Sequence, residues 1–147
     1  MFSVKKLSGA IGAELAGVDL TNNLSEEILV SINEHLVKYE VVFFRDQDIS
    51  WEQHVKLGKF FGPLQSHPAY NSPSNYPEIT ILESTRDNPS KIECWHTDMT
   101  FLKNPPLCSI LRSKICPSKG GHTMWSSMTA AYESLSVSMK KFLKDLT

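Results

Sequence analysis

Two capped amphipathic stretches on either side of a short apolar run constrain this chain more than any other feature. Ser25 is a residue type that caps helices, and Glu26 and Glu27 follow in the first turn, where the helix dipole favours anions. Ile28, Leu29, Ile32, Leu36 and Tyr39 then fall on one helical stripe. Ser50 and Gln53 have the spacing of a capping box and predict a second helix, with Val55, Leu57, Phe60 and Phe61 as its apolar surface. Gly62-Pro63 ends it. Between the two, Val41 to Phe44 reads as a buried β-type run. Residues 11–20 alternate small and apolar side chains between glycines and predict a short strand or hairpin arm. Further strands are expected over 78–82, 107–116 and 122–126, with loops at 68–77 and 85–90 and a turn at 117–121. Residues 130–135 look helical, and Met139, Phe142, Leu143 and Leu146 make another apolar stripe. Helices beside several non-local strands imply an α+β domain.

Composition narrows the partners. A chain of 147 residues suits one domain with its own core. Hydrophobic content of 41%, charged content of 21% and a net charge of −1 give no electrostatic footprint for nucleic acid or an anionic membrane, and neither is expected as a partner. The longest apolar runs are far too short to span a bilayer. No apolar stretch follows Met1 to Lys6, so no signal peptide is expected. Cys94, Cys108 and Cys116 are odd in number and lack CxxC spacing, which fits a cytoplasmic location. Cys94 is better read as a free thiol than as a nucleophile.

The chemistry concentrates in residues 94–108. Here His96 and Asp98 stand two positions apart in an extended-looking, aromatic-flanked segment. In a strand, residues i and i+2 share a face, so the two side chains would sit side by side with Thr97 turned away. An imidazole nitrogen and a carboxylate oxygen converging on one point are two-thirds of the facial triad that binds non-haem Fe(II). Taken alone, the tripeptide is weak evidence, and a surface hydrogen-bonded pair is the competing reading.

With these residues in view, the chain resembles the taurine dioxygenase (TauD/TfdA) family of Fe(II)- and 2-oxoglutarate-dependent oxygenases. Seven blocks follow the family's order. They are Ile11-Gly12-Ala13-Glu14 with Gly17-Val18-Asp19-Leu20; Val41-Val42-Phe43-Phe44-Arg45-Asp46-Gln47; His67-Pro68-Ala69-Tyr70; Trp95-His96-Thr97-Asp98-Met99-Thr100-Phe101; Pro105-Pro106; Gly120-Gly121-His122-Thr123-Met124-Trp125; and Ala130-Ala131-Tyr132-Glu133-Ser134-Leu135-Ser136.

The resemblance implies a partial double-stranded β-helix (jelly roll) with flanking helices. It implies that His96 and Asp98 are metal ligands for Fe(2+), that Thr123 binds 2-oxoglutarate as cosubstrate, and that O2 is consumed. His67, Tyr70 and Trp95 match positions lining the pocket for the substrate's acidic group, with Trp95 read more as a shield for the metal. The implied reaction hydroxylates a small acidic organic substrate, sulfonate-like, with taurine as one candidate, and releases succinate and CO2. The family's distal iron histidine and its acid-binding arginines lie in a second half that has no counterpart in residues 1–147. This stretch is therefore expected to be the N-terminal portion of a single oxygenase domain, inactive alone, poorly soluble or assembled as a homo-oligomer. None of His35, His54 and His122 is a convincing distal ligand, and Ile92 or a neighbour stands where the taurine enzyme has a substrate-fixing asparagine. Two other classes stay open. One is a metal-free binding or structural domain derived from the family. The other is a zinc hydrolase or cupin-type metalloenzyme, its third ligand drawn from His67 or a second subunit.

Overall fold

A computed structural model describes residues 2–90, 92 and 94–146. The chain divides into two compact units. One comprises Met1–Asp19, Leu24–Gln47 and Ile115–Thr147; the other comprises Leu20–Asn23 and Asp48–Lys114. Lys91 and Glu93, two of the candidates for the asparagine's place, lie outside the described residues.

The first unit is built on a small mixed sheet. Strand β1 (Ser3–Lys6) pairs antiparallel with β2 (Ala13–Ala16), Ser3 facing Ala16 and Lys6 facing Ala13. The turn between them closes where Leu7 N–H donates to the Gly12 carbonyl at 3.0 Å, and Gly12 takes a φ of 91°, a conformation open to glycine and strained for other residues. Helix α1 (Glu26–Tyr39) carries the chain over to β3 (Val42–Phe43), which runs parallel to β2 with Ala13 opposite Val42. A parallel pair needs such a crossover, and the stripe read in the sequence is what seats the helix, with Ile32 buried. Ala13, Leu15, Val18 and Ile32 make the core. The strand expected within residues 11–20 is present, whereas β1 was not legible in the sequence. The run Val41 to Phe44 is shorter and less buried than its pattern implies. Only Val42–Phe43 forms a strand, half-buried, with the Phe43 ring edge-on to Trp125 at 5.3 Å.

Two short helices complete this unit. Helix α3 (Met128–Glu133) is capped by Ser127 and α4 (Val137–Leu143) by Ser136, each hydroxyl accepting from the backbone N–H three residues on. Gly120 and Gly121, at φ 77° and 66°, supply the consecutive left-handed residues of the expected turn.

The second unit centres on α2 (Trp51–Phe61), which has the predicted capping box. Ser50 Oγ accepts from Gln53 N–H at 3.1 Å, and Gln53 Oε1 accepts from Ser50 N–H at 2.6 Å. Gln53 Nε2 also donates to the Thr21 carbonyl at 2.6 Å. Gly58 lets the following segment approach, since an added Cβ would stand 2.9 Å from Leu64 Cδ2. Ile49 and Ile79 are the buried apolar residues here.

Segments 78–82, 107–116 and 122–126, expected as strands, carry no strand pairing among the described residues. Alternation reports which side chains share a face, but a strand also needs a partner ladder. Three strands and four helices among the described residues fit an α+β description and do not by themselves make a jelly roll. No helix among them is long and apolar enough to cross a membrane.

Candidate metal centre

His96 and Asp98 lie at the entrance to a turn rather than within a strand. Residues 95–97 belong to no helix or strand, the turn begins at Asp98, Met99 takes a left-handed φ of 57°, and Leu102 N–H closes on the Met99 carbonyl at 3.1 Å. The strand premise is thus corrected, yet its consequence survives. The two side chains meet without a ladder, at the mouth of the turn. His96 Nε2 lies 3.2 Å from Asp98 Oδ1.

The remaining polar atoms of the pair are already engaged. His96 Nδ1 is 2.9 Å from the Cys94 carbonyl, which can only accept, so Nδ1 carries the proton. In the neutral ring Nε2 keeps a lone pair on the side of Asp98 that a cation can use, and in the protonated ring the two groups form a surface ion pair. Asp98 Oδ2 accepts from the Ser109 hydroxyl at 3.1 Å, so Oδ1 is the oxygen turned toward the imidazole. Two donors bound at about 2.1 Å to one divalent ion, at a right angle, stand about 3.0 Å apart. The 3.2 Å separation of the pair is close to that between two adjacent corners of an octahedral site. With side chains 53% and 58% exposed, both are open to an ion from solvent. Among the described residues no group of three or more His, Cys, Asp and Glu side chains gathers as a metal site. His67 does not join His96 and Asp98 in such a group among the described residues.

Other candidates fall in smaller groups. His67 and Tyr70 are neighbours, ring centroids 4.5 Å apart, and Phe101 stands edge-on to His67 at 6.5 Å. His67 Nδ1 accepts from Ala69 N–H at 3.1 Å, which puts the ring proton on Nε2 and makes that atom a donor. Trp95 is 69% exposed. Thr123 is exposed and belongs to the first unit.

The three histidines set aside as distal ligands have surroundings of their own. His35 Nδ1 bonds the Ser31 carbonyl at 2.7 Å, and its ring meets Phe2 edge-on and stacks with Tyr39. His54 Nε2 donates to the Ile110 carbonyl at 3.1 Å; burial lowers its pKa, the Ile110 bond opposes that, and the Arg112 charge adds to it. His122 is exposed. Cys94 serves through its carbonyl, and burial raises the Cys108 thiol's pKa, away from nucleophilic use at neutral pH.

Sequence reasoning missed Ser109 and the part played by Phe101. The available signal was a single hydroxyl in the otherwise apolar run Leu107-Cys108-Ser109-Ile110-Leu111.

Known proteins bear on this arrangement. The chain is 34% identical to an alpha-ketoglutarate-dependent sulfate ester dioxygenase of Pseudomonas putida, over 90% of this chain and 44% of that protein. It is 34% identical to an alkylsulfatase of Acinetobacter baylyi, over 97% of this chain and 45% of that protein. A crystal structure of a taurine dioxygenase from Burkholderia xenovorans superposes with a TM-score of 0.84 at 40% identity, covering 98% of this chain and 51% of that one. The model of the taurine catabolism dioxygenase TauD, TfdA family matches residues 3–147, and the chain belongs to that family. It spans about half the length of the curated relatives it matches.

Proposed function

We propose that the whole protein is an Fe(II)- and 2-oxoglutarate-dependent dioxygenase acting on a small sulfonate or sulfate ester. His96 Nε2 and Asp98 Oδ1 hold the metal, and a third donor comes from outside the described residues. Residues 1–147 form the N-terminal portion of one oxygenase domain, a jelly roll when complete, in a cytoplasmic enzyme. The observation that carries this reading is the 3.2 Å approach of two atoms whose partner atoms are both tied back. Such tethering orients ligands before an ion arrives. Bound there, Fe(II) would supply the platform on which 2-oxoglutarate and O2 yield the oxidising equivalent for C–H hydroxylation.

The chain's own residues then have separate tasks. Thr123 gives a hydroxyl to a 2-oxoglutarate carboxylate. His67, with its proton on Nε2, and the Tyr70 hydroxyl are both donors, and a sulfonate or sulfate offers only acceptor oxygens. Phe101 supplies apolar surface beside His67, and Trp95 shields the metal, so that water is kept from the reacting carbon. The reaction balances as substrate C–H, O2 and 2-oxoglutarate giving C–OH, CO2 and succinate. A hydroxyl placed on the carbon bearing the sulfur group makes an unstable product that breaks down to an aldehyde, with sulfite from a sulfonate or sulfate from a sulfate ester.

The test is turnover of the full polypeptide with Fe(II), 2-oxoglutarate and a panel of short sulfonates, alkyl sulfates and matching carboxylates. Succinate formed in step with sulfite or sulfate, and lost in His96→Ala, is the expected result. Carboxylates turned over as well as the sulfur acids would contradict the substrate class. Hydrolysis of a sulfate ester without O2 or succinate would contradict the reaction.

A further inference from the structure

We infer that Ser109 is a positioning residue for the metal-binding carboxylate, an inference that rests on the reading of His96 and Asp98 as ligands. A carboxylate has two equivalent oxygens and a soft torsion about its last bond, so nothing in Asp98 itself decides which oxygen meets an ion, or whether both do. The Ser109 hydroxyl restricts that freedom by donating to Oδ2 at 3.1 Å. Only Oδ1 is left beside His96 Nε2. One-oxygen ligation uses a single corner of the ion, and an oxygenase of this kind must keep three corners open for its cosubstrate and O2.

Ser109 can hold this position because the segment around it is fastened on its far side. The next residue, Ile110, accepts from His54 Nε2 on α2 at 3.1 Å. Arg112 donates to the Ile49 carbonyl and, at 2.5 Å, to Asp48 Oδ1, both just ahead of the α2 cap. Helix α2 is in turn fixed by its capping box and by the Gln53 bond to Thr21. The geometry of the carboxylate is therefore set from a helix that contributes no ligand. The hydrogen bond is exposed, so water competes with it, and its value lies in orientation rather than in fold stability.

The experiment titrates the full polypeptide, free of iron, with Mn(II) and separately with Co(II), in wild type, Ser109→Ala, Ser109→Thr and His96→Ala. Loss of an outer partner of a metal ligand costs roughly 10–100-fold in affinity. Because this bond is exposed, Ser109→Ala is expected to weaken the Mn(II) Kd by about tenfold, at the lower end of that range. Its Co(II) visible spectrum, which follows coordination number, should change as well. Ser109→Thr keeps the hydroxyl and should restore both readouts, and the metal-free melting temperature should not move in either variant. Wild-type affinity and spectrum in Ser109→Ala would overturn the inference. So would a threonine variant as impaired as the alanine one, or a metal-free melting temperature that falls in parallel with affinity. Undiminished Mn(II) binding by His96→Ala would instead overturn the metal-site reading beneath it.

Discussion

Ser127 Oγ donates to Glu40 Oε1 at 2.9 Å, joining the residue that caps the start of α3 to the residue that ends α1. The same hydroxyl accepts from Ala130 N–H at 2.9 Å, so one buried side chain satisfies a helix terminus and a carboxylate together. Glu40 sits at a left-handed φ of 63°, the conformation that ends α1. Removing the hydroxyl deletes the cap and leaves the carboxylate without that donor. Ser127→Ala should destabilise the protein by about 1–2 kcal/mol. Ser134→Ala, at an exposed serine, should stay within about 0.5 kcal/mol. Thermal melts of the two variants make the comparison, and equal losses would show that the Ser127 link is inert.

Gln53 carries more of the α2 terminus than Ser50 does. An N-cap serine replaced by alanine costs about 1 kcal/mol. Ser50→Ala should lose roughly that amount, since it gives up the accepted bond from Gln53 N–H. Gln53→Ala gives up both its return bond to Ser50 and the bond to Thr21, so it should cost at least as much. Chemical denaturation of the two single variants and the double variant checks this. The double variant should fall short of the sum, because the box is a shared unit.

His54 makes stability depend on pH in one direction. Burial holds its folded-state pKa below the usual value near 6.5, the Arg112 charge adds to this, and the Ile110 carbonyl works against it. A depressed pKa means the unfolded chain takes up the proton first as pH falls. The contribution is therefore intact above about pH 6.5 and is lost as pH drops toward the lower folded value. His54→Gln keeps a donor for Ile110 and removes the titration. Between pH 7 and 5 its melting temperature should fall less steeply than that of wild type; parallel slopes would rule the effect out.

Local features were legible in the sequence, and paired ones were not. The capping box at Ser50 and Gln53, the α1 stripe through Ile32 and the double-glycine turn follow from residue types at fixed offsets, so one sequence suffices. Strand β1 escaped notice because Ser3-Val4-Lys5-Lys6 is exposed along its length and acquires its identity only from β2. The opposite error occurred at 107–116, where an apolar alternation exists without a ladder among the described residues. At the site, the convergence of His96 and Asp98 was legible from their spacing, while the turn at Met99 that receives them was not. Ser109 lies eleven residues downstream of Asp98, and no local rule joins positions so far apart.

The central claim is that the Nε2 and Oδ1 atoms facing each other across 3.2 Å share one cation. Anaerobic addition of Fe(II) and 2-oxoglutarate to the full polypeptide tests it most directly. A weak visible charge-transfer band saturating at one iron per chain, and missing from both His96→Ala and Asp98→Ala, is the predicted result. A band of undiminished intensity in either variant would contradict the account.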